Sequence, residues 1–320
     1  MSHAPLSIPP SAHTMPYEDT FQQTLQAVRE HLAEILASPQ DASPLAQGLL
    51  APLWDALRYA CLDAGKLLRP VILVETGLAL GAPLAHLLPT ACAIELVHAQ
   101  SLVHDDLPCM DDDDLRRGKP TVHKAYGEST AVLVGDALLA MAFGVIADTP
   151  LPPNRATTLL TVVQSFSQVS SMGGLVSGQY LDIAHEKQPF DEPVLALIHG
   201  YKTAALFEFA FSAAGQLAGL PQQPCTQLAQ LGQTLGLAFQ VIDDILDETS
   251  EAAVLGKTIG KDRLQEKATY PALLGLEAAK AKAATLGEQC LVQLAEIPWP
   301  DGAVPERLLA LVGFVLNRQH

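Results

Sequence analysis

Six of the ten residues from Asp105 to Asp114 are aspartates, and a second group, Asp243, Asp244 and Asp247, lies far along the same chain. Carboxylates in such numbers repel one another unless a cation is shared between them. Both groups have positive charge close behind them. Arg116 and Arg117 follow the first, and Lys257, Lys261 and Lys267 follow the second. Carboxylates hold hard divalent cations, and guanidinium and ammonium groups take phosphate oxygens. A chain that needs both, twice, points to a metal–phosphate complex. The spacing does not suit a calcium EF-hand, and no GxxxxGK[ST] phosphate loop occurs.

The two groups differ in local geometry. An apolar stretch, Thr90–Val103, leads into the first and places Asp105 and Asp106 at a helix C-terminus, where negative charge opposes the macrodipole. Pro108 then interrupts the helix and lets Asp111 return toward Asp105. The second group sits inside a helical apolar pattern. Asp243 and Asp247 are i,i+4 and Asp244 and Asp247 are i,i+3, a spacing that puts carboxylates on one face. Local spacing assigns no ligand role to Asp112, Asp113 and Asp114.

The elements that position these groups are helices. Hydrophobic residues make up 49% of the 320 residues and aromatics only 5%, with Ala and Leu dominant. Pro and Gly clusters at 39–44, 81–83, 148–154, 187–193, 219–224 and 298–305 separate segments too long for strands. Residues 158–172 carry a helical apolar stripe, and 226–246 read alike. Ten or more helices in an all-α bundle are expected. Residues 1–16 read as a disordered lead-in without the basic and apolar regions of a signal peptide, and 17–320 as a single domain. The most apolar stretch, 131–147, contains Asp136 and is expected to be a buried core helix, not a membrane span. A formal net charge of −16 disfavours nucleic acid and anionic membranes as partners. Five cysteines without a CxxC pair fit a reducing cytoplasm.

From about residue 20 to the C-terminus the chain resembles the trans-isoprenyl diphosphate synthases, in particular the bacterial short-chain branch that makes farnesyl or geranylgeranyl diphosphate. The motifs are Gly65-Lys66-x-x-Arg69-Pro70, Glu95-x-x-His98, Asp105-Asp106-x-x-x-x-Asp111 with Arg116-Arg117-Gly118, Gly135-Asp136-Ala137, Gly178-Gln179-x-x-Asp182, Lys202-Thr203 and Phe239-Gln240-x-x-Asp243-Asp244-x-x-Asp247. Departures are mild. Ala64 and Ala204 stand where glycine is frequent, and Leu67 where a basic residue is common.

The resemblance implies an all-α fold around a deep central cavity and a homodimer. It implies that Asp105, Asp106 and Asp111 hold two magnesium ions and that Asp243, with Asp244 and Asp247, holds a third. Arg116, Lys202, Lys257 and Lys267 would contact an allylic diphosphate, and Lys66, Arg69, His98 and Arg117 would bind isopentenyl diphosphate. Lys202, Thr203 and Gln240 would lie near the reacting carbon. Gln100, five residues before Asp105, stands where farnesyl synthases carry an aromatic, so Gln100, Ser101, Val97 and Leu96 are candidates for setting product length. An amide at Gln100 needs a polar partner in an apolar cavity. A class I terpene cyclase and a non-catalytic partner subunit are the competing readings. The cyclase's second motif mixes Asn, Ser or Thr with Glu, and such a subunit tends to lose aspartates.

Overall fold

The computed structural model describes residues 16–38, 43–62, 65–186, 188–249 and 269–318. The lead-in before residue 16 and the lysines Lys257, Lys261 and Lys267 lie outside the described residues. Among those described, fourteen α-helices account for most of the chain. They are α1 (Tyr17–Ile35), α2 (Pro44–Cys61), α3 (Leu68–Ala79), α4 (Leu84–Asp105), α5 (Val122–Tyr126), α6 (Glu128–Ala147), α7 (Ala156–Ser170), α8 (Leu175–Ala184), α9 (Glu192–His199), α10 (Ala205–Ala218), α11 (Gln222–Thr249), α12 (Tyr270–Leu274), α13 (Leu276–Glu296) and α14 (Glu306–Leu316). The all-α expectation holds, with one small addition. Leu115–Arg116 (β1) and Lys119–Pro120 (β2) pair as an antiparallel hairpin.

The most extensive packing joins α4 to α6 and α10 to α11, with α3 wedged against α4 and α10. Leu87, Ala91, Ile94, Phe166, Phe207 and Phe211 are among the residues of a large apolar cluster that draws on most of the helices. Small residues set the closest approaches. A Cβ on Gly236 would lie 2.6 Å from Ala204 Cα, and one on Gly232 would lie 2.5 Å from Phe207 O. Glycine at both positions therefore lets α11 sit directly on the backbone that precedes and begins α10.

One expectation needs correction. Residues 131–147 do form a helix, part of α6, but only about a third of its most apolar window is buried. Val132 and Leu133 within it are exposed, as are Leu160 on α7 and Val176, Tyr180 and Ile183 on α8. By length and composition α6 and the segment Glu192–Ala218 could each cross a membrane, although the latter is mostly buried inside the fold. Hydropathy alone does not distinguish a helix buried on all sides from one that leaves an apolar stripe uncovered.

Candidate active site

Asp105 ends α4, and the chain folds back on itself immediately after it. Asp111 N–H donates to Asp105 O at 2.8 Å, Asp112 N–H to Leu107 O at 3.1 Å and Asp113 N–H to Asp106 O at 3.2 Å. The break at Pro108 does return Asp111 to Asp105. The β1–β2 hairpin follows, and its two turn residues, Arg117 (φ 54°) and Gly118 (φ 75°), are both left-handed. That is the type I′ geometry whose twist matches a two-residue hairpin. The turn separates the neighbouring arginines. Arg116 grips Asp106, with Nε on both carboxylate oxygens and Nη2 on Oδ1 at 2.6 Å. Arg117 lies beside Gly65 instead, where an added Cβ would stand 3.2 Å from its Cζ.

Arg117 thereby joins the group of Lys66, Arg69 and His98. Arg69 is stacked 4.9 Å above the Phe207 ring, Lys66 Nζ lies 5.2 Å from that of Phe314, and His98 is one turn beyond Glu95 on α4. Burial, aided by Arg69 and Arg117, pushes the His98 imidazole well below its ordinary pKa, so it is neutral. Burial lowers Arg69 to about 10, against the attraction of Glu95 and Asp243. Glu95 is itself pushed up to about 7 by burial, with Arg117 and Arg69 opposing. Arg69 Nε is buried with no hydrogen-bond partner. A buried guanidinium donor left unmatched, amid cations that depress one another, is an anion site in its chemistry.

Opposite α4, the five-residue π-helix Gly200–Ala204 precedes α10. π-turns widen a helix and re-aim its side chains. Gly178 of α8 touches this turn so closely that a Cβ would fall 2.3 Å from Lys202 N. Lys202 Nζ donates to Asp182 Oδ2, and its charge acts on Asp105 across the cleft. Thr203 Oγ1 donates to Gln240 Oε1 at 2.7 Å, and Gln240 Nε2 to Asp244 Oδ1 at 2.9 Å. Tyr270 N–H completes the relay at Asp244 Oδ2, 3.0 Å away. Asp244 is thus buried with both oxygens engaged, whereas Asp243 is about half exposed. The structure divides the second group: Asp243 and Asp247, one turn apart, are placed differently from Asp244.

The residues present suit a hard divalent cation. Every side-chain donor in the two aspartate motifs is a carboxylate oxygen. Burial raises the Asp105 carboxyl, Lys202 and Arg116 oppose it and Asp111 and Asp106 add to it, and the balance stands at about 6. A buried carboxylate crowded by its own kind gains most from a shared cation.

Sequence reasoning missed Arg318. Its Nη2 donates to Asp243 Oδ1 at 2.8 Å and to Phe239 O at 3.0 Å, with the guanidinium stacked 3.7 Å above the Phe239 ring. A lone cation near a C-terminus carries no local signal. The chain-length candidates are also placed. Leu96 and Val97 are buried in the core, and Ser101 Oγ donates to His98 O. Gln100 Nε2 meets His104 Nδ1 at 3.2 Å, and His104 Nε2 meets Val132 O of α6 at 3.2 Å. A carbonyl only accepts, so Nε2 carries the proton and Nδ1 accepts from the amide. This supplies the polar partner that Gln100 required.

A polyprenyl synthetase family model matches residues 51–295. The chain belongs to the polyprenyl synthetase family. It is a trans-prenyltransferase. Geranylgeranyl pyrophosphate synthase of Catharanthus roseus is 41% identical over 267 residues, 83% of this chain and 74% of the relative. An FPP/GFPP synthase from Zymomonas mobilis superposes with a TM-score of 0.80 at 33% identity, covering 94% of this chain and 98% of that one. The geranyltransferase of Helicobacter pylori, solved with magnesium and isoprenyl diphosphate, superposes with a TM-score of 0.78 at 30% identity, covering 95% and 97%.

Proposed function

We propose that this polyprenyl synthetase condenses isopentenyl diphosphate head-to-tail with an allylic diphosphate, giving a short-chain trans-prenyl diphosphate, farnesyl or geranylgeranyl. The observation that carries the reading is the pairing of two oxygen-only aspartate motifs with a cation group whose Arg69 Nε is buried without a hydrogen-bond partner. One part suits a metal-bound diphosphate, and the other a second diphosphate without metal.

In this reading Asp105, Asp106, Asp111, Asp243 and Asp247 hold magnesium, three ions with substrate bound, and Asp244 orients Gln240. Magnesium supplies neutralisation of the leaving diphosphate. Arg116 and Lys202 contact the allylic diphosphate, each exchanging its carboxylate partner for phosphate oxygens. Lys257 and Lys267 retain this role as a proposal from the sequence. Lys66, Arg69, Arg117 and the neutral His98 bind isopentenyl diphosphate, and Arg318 adds a cation beside Lys66 and Asp243. Thr203 and Gln240 present oxygen dipoles to positive charge developing at the allylic carbon. Gln100, Ser101, Val97 and Leu96 line the path of the growing chain.

The exposed apolar residues of α6, α7 and α8 support a homodimer that buries them against a second copy. We read residues 17–320 as one domain working in the cytoplasm, where its cysteines stay reduced. The test is incubation with radiolabelled isopentenyl diphosphate, magnesium and each of dimethylallyl, geranyl and farnesyl diphosphate, followed by chain-length separation. Magnesium-dependent products of twenty carbons or fewer are expected. Longer products would refute the short-chain reading, and no product with any primer would refute the synthase reading.

A further inference from the structure

Asp112 and Asp114 lie just before the β1–β2 hairpin, and His123 on α5 lies just beyond its end. A carboxylate oxygen of each aspartate and a ring nitrogen of His123 lie within 4.8 Å of one another. The two aspartates are exposed and the histidine is 94% buried, a polar group placed under an acidic surface.

The hydrogen bonds around His123 define its tautomer. Thr121 Oγ1 lies 2.7 Å from Asp113 O and 3.0 Å from His123 Nδ1. A carbonyl accepts only, so the single hydroxyl proton of Thr121 goes to Asp113 O. The Thr121 oxygen is then the acceptor, and Nδ1 carries the ring proton. In that tautomer Nε2 is the ring's lone-pair nitrogen, and it is buried without a hydrogen-bond partner. Metal-binding histidines have this arrangement: one ring N–H held by the protein and the other nitrogen offering its lone pair. Asp114 gives Oδ1 to Lys124 at 2.7 Å and keeps its other oxygen.

We propose that Asp112, Asp114 and His123 form a binding site for a first-row transition-metal dication, separate from the aspartates assigned to magnesium. One imidazole nitrogen with two carboxylates suits Mn²⁺, Co²⁺ or Zn²⁺, whereas magnesium favours oxygen alone. The bound ion ties the entry of the hairpin to the element after its exit. It thereby holds the loop that sends Arg116 to Asp106 and Arg117 toward Gly65.

The experiment uses the full chain carrying Asp105→Asn, Asp111→Asn and Asp243→Asn, titrated with Mn²⁺ alone and without diphosphate. One ion per chain is expected, with pulsed-EPR coupling to a directly bound ¹⁴N that carboxylates cannot provide. Adding Asp112→Asn, an exposed change that leaves the fold intact, is expected to weaken binding at least about tenfold. His123→Gln is expected to abolish the nitrogen coupling. Absence of binding in the triple variant, binding without nitrogen coupling, or binding indifferent to Asp112→Asn would each overturn the proposal.

Discussion

Arg116 holds Asp106 through three hydrogen bonds, from Nε to both carboxylate oxygens and from Nη2 to Oδ1. Asp106 is 4% exposed and Arg116 24%, so the pair is shielded from water. Burial raises the Asp106 carboxyl against the pull of its Arg116 bonds. Arg116→Ala strands a buried carboxylate, and a stability loss of about 3–5 kcal/mol is expected by denaturant titration without magnesium. Saturating magnesium should recover part of that loss. A loss within 1 kcal/mol would show that the pair is not structural.

Gly135 of α6 lies against the His104 ring, and a Cβ there would stand 1.9 Å from Nε2. The ring is held at both nitrogens and cannot swing away at no cost. Gly135→Ala should therefore destabilise the chain by about 1–3 kcal/mol. His104→Ala in the same chain should relieve much of the penalty. Additive effects of the two changes would place the clash elsewhere.

Glu95 gives a pH signature. Its folded carboxyl is raised to about 7 from 4.5, so between these values the folded chain binds more protons than the unfolded one. Stability should fall as pH rises through that window, by on the order of 3 kcal/mol, and level off above it. Glu95→Gln should flatten the slope in urea titrations from pH 4.5 to 8. An unchanged slope would exclude Glu95 as its source.

Gln240 joins Thr203 to Asp244. Gln240→Leu removes the acceptor of the Thr203 hydroxyl and one donor to Asp244, at about 1–3 kcal/mol for each buried hydrogen bond lost. Combining it with Thr203→Val should cost less than the sum of the two single changes. Strict additivity in a double-mutant cycle would show that the relay does not act as a unit. The turnover rate should fall more than affinity for either diphosphate.

Gln100 donates to His104 Nδ1. Gln100→Tyr replaces the amide with a larger ring, and the expected outcome is a shift toward products one isoprene unit shorter. Chromatography of the dephosphorylated alcohols reads it directly. An unchanged distribution would remove Gln100 from the path of the chain.

The helical class, the two aspartate motifs and the arginines behind the first were legible in the sequence because each rests on local spacing: i,i+4 carboxylates, a proline break, apolar stripes between Pro and Gly clusters. Such patterns need no knowledge of what lies across the fold. The hairpin at Arg116–Lys119 was not legible. It depends on two successive left-handed residues, and Arg117 adopts that conformation only where tertiary contacts hold it.

Only the tertiary structure decided which charges meet. Spacing treats Asp243 and Asp244 alike, yet Asp244 turns inward to Tyr270 N–H and Gln240 while Asp243 meets Arg318, 75 residues away. It likewise gave Gln100 its partner, through a histidine held by α6. Local physics sets which elements form and which residue types they carry. Burial and long-range pairing, which no sequence window contains, determine how the same aspartate is used at two neighbouring positions.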